Sequence, residues 1–277
     1  MAVETVALTV SRCTEVNSHI LSSSHCGYPA PGYPDPTFLF TPFFRIGSFA
    51  FTKPMLQVVI CMLAVIAFFW VAFAKPKLVP RGTQNVAELG ITFVRDQILW
   101  PMMGRRGDGY LPFLVSLFFF IWIMNIMEVI PVFQYPAMAQ IAFPGALMIM
   151  VYATYTFLGI KHQGLGGYFS NMIPKGVPFF VLPLLAPVEI LQYIIVRPFT
   201  LAVRLFANMF AGHILLLVFT LATWYMFSAT IGLLFSVTSF VLTVVLTAFE
   251  LLIQALQAYI FTILTAQYIG GSLEAGH

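Results

Sequence analysis

Between residues 177 and 268 the chain is almost wholly apolar, and five acidic, basic or imidazole side chains interrupt it: Glu189, Arg197, Arg204, His213 and Glu250. A charged group at the centre of an apolar segment in a bilayer costs at least about 2.5–3.5 kcal/mol, so such groups turn to a cavity, a partner or an ion path. At about 100° per residue, Arg197, Arg204 and Asn208 share one helix face. His213 lies nine residues after Arg204, on the opposite face. Further on, Glu250, Gln254 and Gln257 share a face of a second helix. This phasing predicts that Arg204 points away from the hairpin of the two helices and that His213 points toward the second helix, where Glu250 can meet it.

The chemistry follows from the residue types. A guanidinium stays protonated at any working pH and cannot relay a proton. It can attract a carboxylate on another protein and favour its ionised form. Imidazole and carboxylate exchange protons near neutrality, and a His–Glu pair flanked by Gln and Asn reads as a relay or a hydrated half-pathway.

The elements that must hold these groups are membrane helices. Of 277 residues 60% are hydrophobic and 8% charged, against roughly 25% charged in soluble domains. That excludes a soluble enzyme, and the long unbroken apolar runs favour helices over a barrel. The net charge of +3 is too small to indicate nucleic-acid binding. Spans are predicted at about 54–74, 111–130 and 143–160, followed by two apolar pieces, 179–224 and 230–268. Each of these last is long enough for two ordinary spans or one strongly tilted helix, and hydropathy leaves both open. The Arg197-Pro198 step is the best candidate for a break.

Residues 1–53 form an extramembrane segment with a proline-rich stretch at 25–37, and 54–277 form the membrane domain. Lys75, Lys77, Arg81, Arg95, Arg105 and Arg106 cluster after the first span. By the positive-inside rule that loop is cytoplasmic and the N-terminus outside. With five spans the C-terminus is also cytoplasmic. Within the loop, residues 85–103 space Val86, Leu89, Phe93 and Ile98 as one face of an amphipathic helix lying on the membrane lipid. The next loop, 161–176, carries Lys161, Lys175 and many turn residues.

The bland readings were set beside these. Asn208, Gln254 and Gln257 can be plain interhelical glue, and His213 with Glu250 a satisfied hydrogen bond. Arg197 can be an interfacial anchor before Pro198 or a supporting residue near the exit path, and Glu128, near the end of the second span, reads as interfacial, with a role at the entry funnel as the alternative. Cys61 reads as a packing residue. Cys13 and Cys26 can pair if their segment faces an oxidising compartment. With no P-loop, metal-ligand cluster or nucleophile arrangement, no cofactor is expected and ATP is not handled by this chain. A secondary transporter would show two related halves, and no internal repeat is present.

The run RPFTLAVRLFANMFAGH (197–213), followed by ELLIQALQAYIFTILTAQYI (250–269), resembles the signature of subunit a of the F-type ATP synthase, bacterial type, over roughly residues 54–270. The resemblance implies an all-α integral membrane protein of about five spans, with the last two long and tilted as a hairpin. It implies a non-catalytic, proton-conducting stator in the plasma membrane. The implied partners are a c-subunit ring, the subunit b peripheral stalk and the rest of the FoF1 complex. Arg204 matches the family's essential arginine, and Asn208 and Gln257 its polar partners. Where some members carry Glu and then His, this chain has His213 and Glu250, the reverse. Glu189 is implied on the cytoplasmic half-path.

Overall fold

The computed structural model describes residues 44–46, 49–130, 137–171, 182–226 and 231–273. The Cys13–Cys26 pairing, the proline-rich stretch, the turn at 131–136 and residues 172–176 of the second basic loop lie outside these residues.

A short antiparallel hairpin, β1 (Phe44–Ile46) with β2 (Phe49–Phe51), pairs Arg45 with Ala50; the sequence reading assigned no element there. Every other regular element among the described residues is helical. Helix α1 spans Lys53–Phe73, and Pro54 sits in its first turn, where a missing N–H costs nothing. Helix α2 (Thr83–Val94) runs through a π-helical turn, Arg95–Leu99, into the short α3 (Trp100–Met103). Gly104, with φ +61°, ends it in a left-handed conformation suited to glycine. Helix α4 (Leu111–Val129) follows.

The expected face of the amphipathic stretch is divided, because Ile98 joins the protein core. Val86, Leu89 and Phe93 are exposed, whereas Ala87, Val94 and Ile98 are buried. Gly90 lies so close to Phe119 of α4 that a Cβ there would overlap the ring. The stretch therefore packs Ala87, Gly90, Val94 and Ile98 on protein and leaves Val86, Leu89 and Phe93 outward.

Helix α5 covers Ala142–Asn171 and is kinked at Gly164, with φ +71°. The expectation of an irregular loop from residue 161 is corrected to this extent. The turn residues supply a single break at Gly164, and helix resumes beyond it to Asn171.

The two long apolar pieces are each one helical path. The first runs from α6 (Leu182–Leu191) through a π-helical turn, Gln192–Val196, into α7 (Arg197–Tyr225). The second is α8 (Ile231–Leu273), 43 residues long. No break occurs at Arg197-Pro198. Proline lacks an N–H and its ring crowds the carbonyl four residues back, here Ile194. That carbonyl lies in the wide π turn, which opens room for the ring. Thr200 Oγ1 then donates to the carbonyls of Val196 (2.7 Å) and Arg197 (3.0 Å). At 1.5 Å per residue, α8 measures about 65 Å against about 30 Å of hydrocarbon, so it crosses a bilayer only when strongly tilted.

The chain divides into two units. One comprises residues up to Lys53 with Leu215–Leu246; there Ser236 Oγ donates to the Thr223 carbonyl (2.7 Å) and Ser239 Oγ to that of Phe219 (2.8 Å). Such hydroxyl–carbonyl bonds join helices where no water competes. The other unit, Pro54–Ile214 with Thr247–His277, holds the main core, built on Ile98, Leu114, Ile121, Met124, Leu205, Met209, Phe261 and Ile269.

Candidate functional site

In the larger unit, three helices bring polar groups into an otherwise apolar interior. Asn125 and Glu128 lie three residues apart on α4 and so share a face. Both are buried, at 0% and 4% exposure. Asn125 Nδ2 donates to the backbone carbonyl of Gln254 (3.3 Å), and Gln254 Nε2 donates to Glu128 Oε2 (3.3 Å). The other carboxylate oxygen, Oε1, lies 3.2 Å from His213 Nδ1. Glu128 thus connects α7 to α8 from a third helix.

This placement corrects the reading of Glu128 as interfacial. A lone carboxylate at the end of an apolar span looks like an anchor, and its partners lie too far along the chain to signal otherwise. The available clue is the spacing of Asn125 and Glu128 on one face of a helix that otherwise carries only apolar side chains and Ser116. The structure also refines the expected partner of His213, whose ion pair is with Glu128.

Glu250 is buried on α8, and its carboxylate occupies the space over Gly212 where any side chain would stand. The Ala211-Gly212 pair ahead of His213 is explained by this contact, since even a methyl at position 212 would collide with the carboxylate. Glu250 interacts electrostatically with both Glu128 and His213. One imidazole and two carboxylates therefore share a small region with Gln254. Two like charges at such range disfavour simultaneous ionisation, so the cluster suits binding and passing a proton.

Arg204 presents the opposite situation. It is exposed on α7, and the exposed positions around it, Thr200, Ala207 and Ala211, are small. Among the described residues no carboxylate lies within ion-pair distance of its guanidinium. Arg204 is thus exposed and outside the His213 cluster, while Tyr268 of α8 still interacts with it electrostatically. Asn208, one turn on, is half-buried, and Gln257 is buried on α8. Glu189 is half-buried on α6, well before the arginine. The structure thus gathers His213, Glu250 and Gln254 into one cluster and leaves Arg204 and Glu189 apart from it.

Several buried polar atoms have no hydrogen-bond partner among the described residues: Asn125 Oδ1, Asn208 Nδ2, Glu250 Oε1, Gln254 Oε1 and Gln257 Nε2. An unmet buried polar group costs about 1–3 kcal/mol. Those of Asn208, Glu250, Gln254 and Gln257 lie on α7 and α8, and that of Asn125 on α4.

Among the described residues, five helices long and apolar enough to cross a bilayer, with one imidazole and two carboxylates gathered between α4, α7 and α8, define a multi-pass membrane protein. Over residues 55–270 the sequence matches the family described as ATP synthase A chain. A protein of Streptomyces lividans named ATP synthase subunit a is 45% identical over 267 residues, covering 95% of this chain and 93% of its own length. A namesake from Frankia alni is 48% identical over 210 residues (75% and 72%), and one from Rhodococcus erythropolis 41% over 233 (83% and 85%). The chain belongs to the ATP synthase A chain family. It is a non-catalytic membrane subunit of the proton-translocating Fo sector.

Proposed function

We propose that this chain forms two offset aqueous half-channels that carry protons to and from a carboxylate on a c-subunit ring, with Arg204 as the essential gating charge. The observation that carries the reading is the exposed Arg204, set among small residues and with no carboxylate paired to it among the described residues, nine residues before His213 and its two acidic neighbours. A guanidinium left unneutralised in an apolar setting calls for an anionic partner from another chain, and the small residues allow that partner close approach.

The loop charges orient the account, with the N-terminus outside and the C-terminus cytoplasmic. Glu128, His213 and Glu250 then lie on the outer side of Arg204, and Glu189 on the cytoplasmic side. Protons arrive through the outer cluster, where the unmet polar atoms of Gln254 and Gln257 would hydrogen-bond water. A ring carboxylate that gains a proton becomes neutral and can turn into lipid at small desolvation cost. After most of a revolution it meets Arg204, loses its proton toward Glu189 and pairs briefly with the guanidinium. Arg204 also blocks direct passage between the half-channels. Each charge crossing gains about 2.3 kcal/mol per 100 mV, which biases rotation. The subunit b stalk would hold this chain still while the ring turns.

The test is proton uptake by vesicles containing the reconstituted complex. Arg204→Ala should abolish coupled synthesis and ATP-driven uptake. Arg204→Lys should fall below roughly one-tenth of wild type, because a compact ammonium does not reproduce the planar fork. Normal pumping by Arg204→Ala would remove the proposed role.

A further inference from the structure

Arg197 stands two helical turns before Arg204, on the same face, and its surroundings are built. Its guanidinium carbon lies 3.5 Å from the centroid of the Tyr193 ring and 5.7 Å from that of Tyr268 on α8. Tyr193 belongs to the π turn Gln192–Val196, whose widened winding immediately precedes Arg197. Tyr268 is backed in turn by the ring of Tyr155 on α5, at 5.7 Å. Tyr155 is itself 3% exposed and packed edge-on against Tyr152. The cation is thus held against two aromatic rings from separate helices.

Aromatic faces hold a guanidinium without cancelling its charge. Among the described residues no carboxylate pairs with Arg197. The titratable groups facing it are Tyr193 beside it, Tyr268 from α8 with Tyr155 behind, Arg204 along its own helix, and Glu189 two turns upstream. Tyr268 interacts electrostatically with Arg197 and Arg204 alike. Seven residues of helix set the Cα positions of the two arginines about 10 Å apart along the axis.

We propose that Arg197 is a positioning residue for proton release: clamped by Tyr193 and Tyr268, it holds a second permanent positive charge beside Arg204 on the side where the ring carboxylate gives up its proton. This rests on the reading of Arg204 given above. The clamped charge adds a field that favours the ionised form of a carboxylate at Arg204, easing release toward the compartment where ATP is made.

The sign of the effect is testable. A positive charge near the site lowers the pH at which the ring carboxylate releases its proton, so removing the charge should raise it. A unit charge about 10 Å away, at an effective dielectric near 20, corresponds to a shift of roughly one pH unit. The experiment measures proton-driven ATP synthesis by the reconstituted complex against the pH of the ATP-forming compartment, at constant driving force. Arg197→Gln should move the midpoint roughly one unit to the alkaline side. Arg197→Lys, which keeps the charge, should move it by less than half of that. Tyr193→Leu, which frees the guanidinium but keeps it, should give an intermediate shift and remains informative if Arg197→Gln fails to assemble with the ring. An unshifted midpoint in both Arg197→Gln and Tyr193→Leu, with Arg204→Ala inactive, would overturn this proposal alone. Normal transport by Arg204→Ala would instead overturn the reading beneath it.

Discussion

Arg204 and His213 sit on one helix, nine residues and half a turn of rotation apart, and the chain treats them in opposite ways. Around His213 it builds a cage in which Glu128 from α4 supplies the ion pair, Gln254 from α8 bonds Glu128, and Gly212 gives up its side chain to the Glu250 carboxylate. Around Arg204 the described residues supply no carboxylate, only an exposed stripe of Thr200, Ala207 and Ala211. Groups that exchange protons need their partners fixed in place. A cation that must meet a moving acid needs no partner of its own, because a resident carboxylate would compete for it. The contrast between a completed site and an incomplete one is what indicates which part of the path belongs to this chain and which to its neighbour.

Substitutions at three places probe the completed side, and the strongest effect should come from Glu128→Ala. It leaves His213 Nδ1 and Gln254 Nε2 buried without their acceptor, at about 1–3 kcal/mol, and proton uptake should fall roughly tenfold or more while the ring still co-purifies. Glu128→Gln separates the roles: it keeps hydrogen bonding but cannot ionise, so full activity there would reduce Glu128 to interhelical glue.

Exchanging the pair comes next. His213→Glu and Glu250→His should each lower uptake severalfold, and the double variant should recover part of the loss because it restores one imidazole and one carboxylate to the same region. A double variant no better than the worse single would show that the two act independently.

The smallest effect is expected from Gly212→Ala. The added methyl must displace the Glu250 carboxylate, a local overpacking worth about 1–3 kcal/mol. Uptake should drop, and shortening the acid with Glu250→Asp in the same chain should restore part of it. If Gly212→Ala alone matches wild type, the close fit over Gly212 has no functional consequence.

Much of this arrangement was legible in the residues. Long apolar runs define spans directly, and a surface helix declares itself by the period of Val86, Leu89 and Phe93, which the structure leaves facing outward. The opposed phases of Arg204 and His213 follow from helix geometry alone. What stayed hidden depended on contacts between distant segments. Glu128 meets Gln254 across 126 residues, and no local pattern encodes that meeting. The continuity of α6 into α7 was equally illegible, because Pro198 signals a break unless the preceding turn is π-helical. The extension of α5 to Asn171 was masked by glycines, of which Gly164 alone breaks the helix in the described stretch. The aromatic clamp on Arg197 needed Tyr193 and Tyr268, from opposite ends of the hairpin, to be seen together.

The central claim concerns what faces the unpartnered guanidinium, and a density map of the whole membrane sector addresses it most directly. The account predicts that the stripe of Thr200, Arg204, Ala207 and Ala211 lies against the rotor, with an acidic side chain of the ring arriving at Arg204. A map in which that stripe faces acyl chains, or in which Arg204 folds back onto a carboxylate of its own chain, would contradict it.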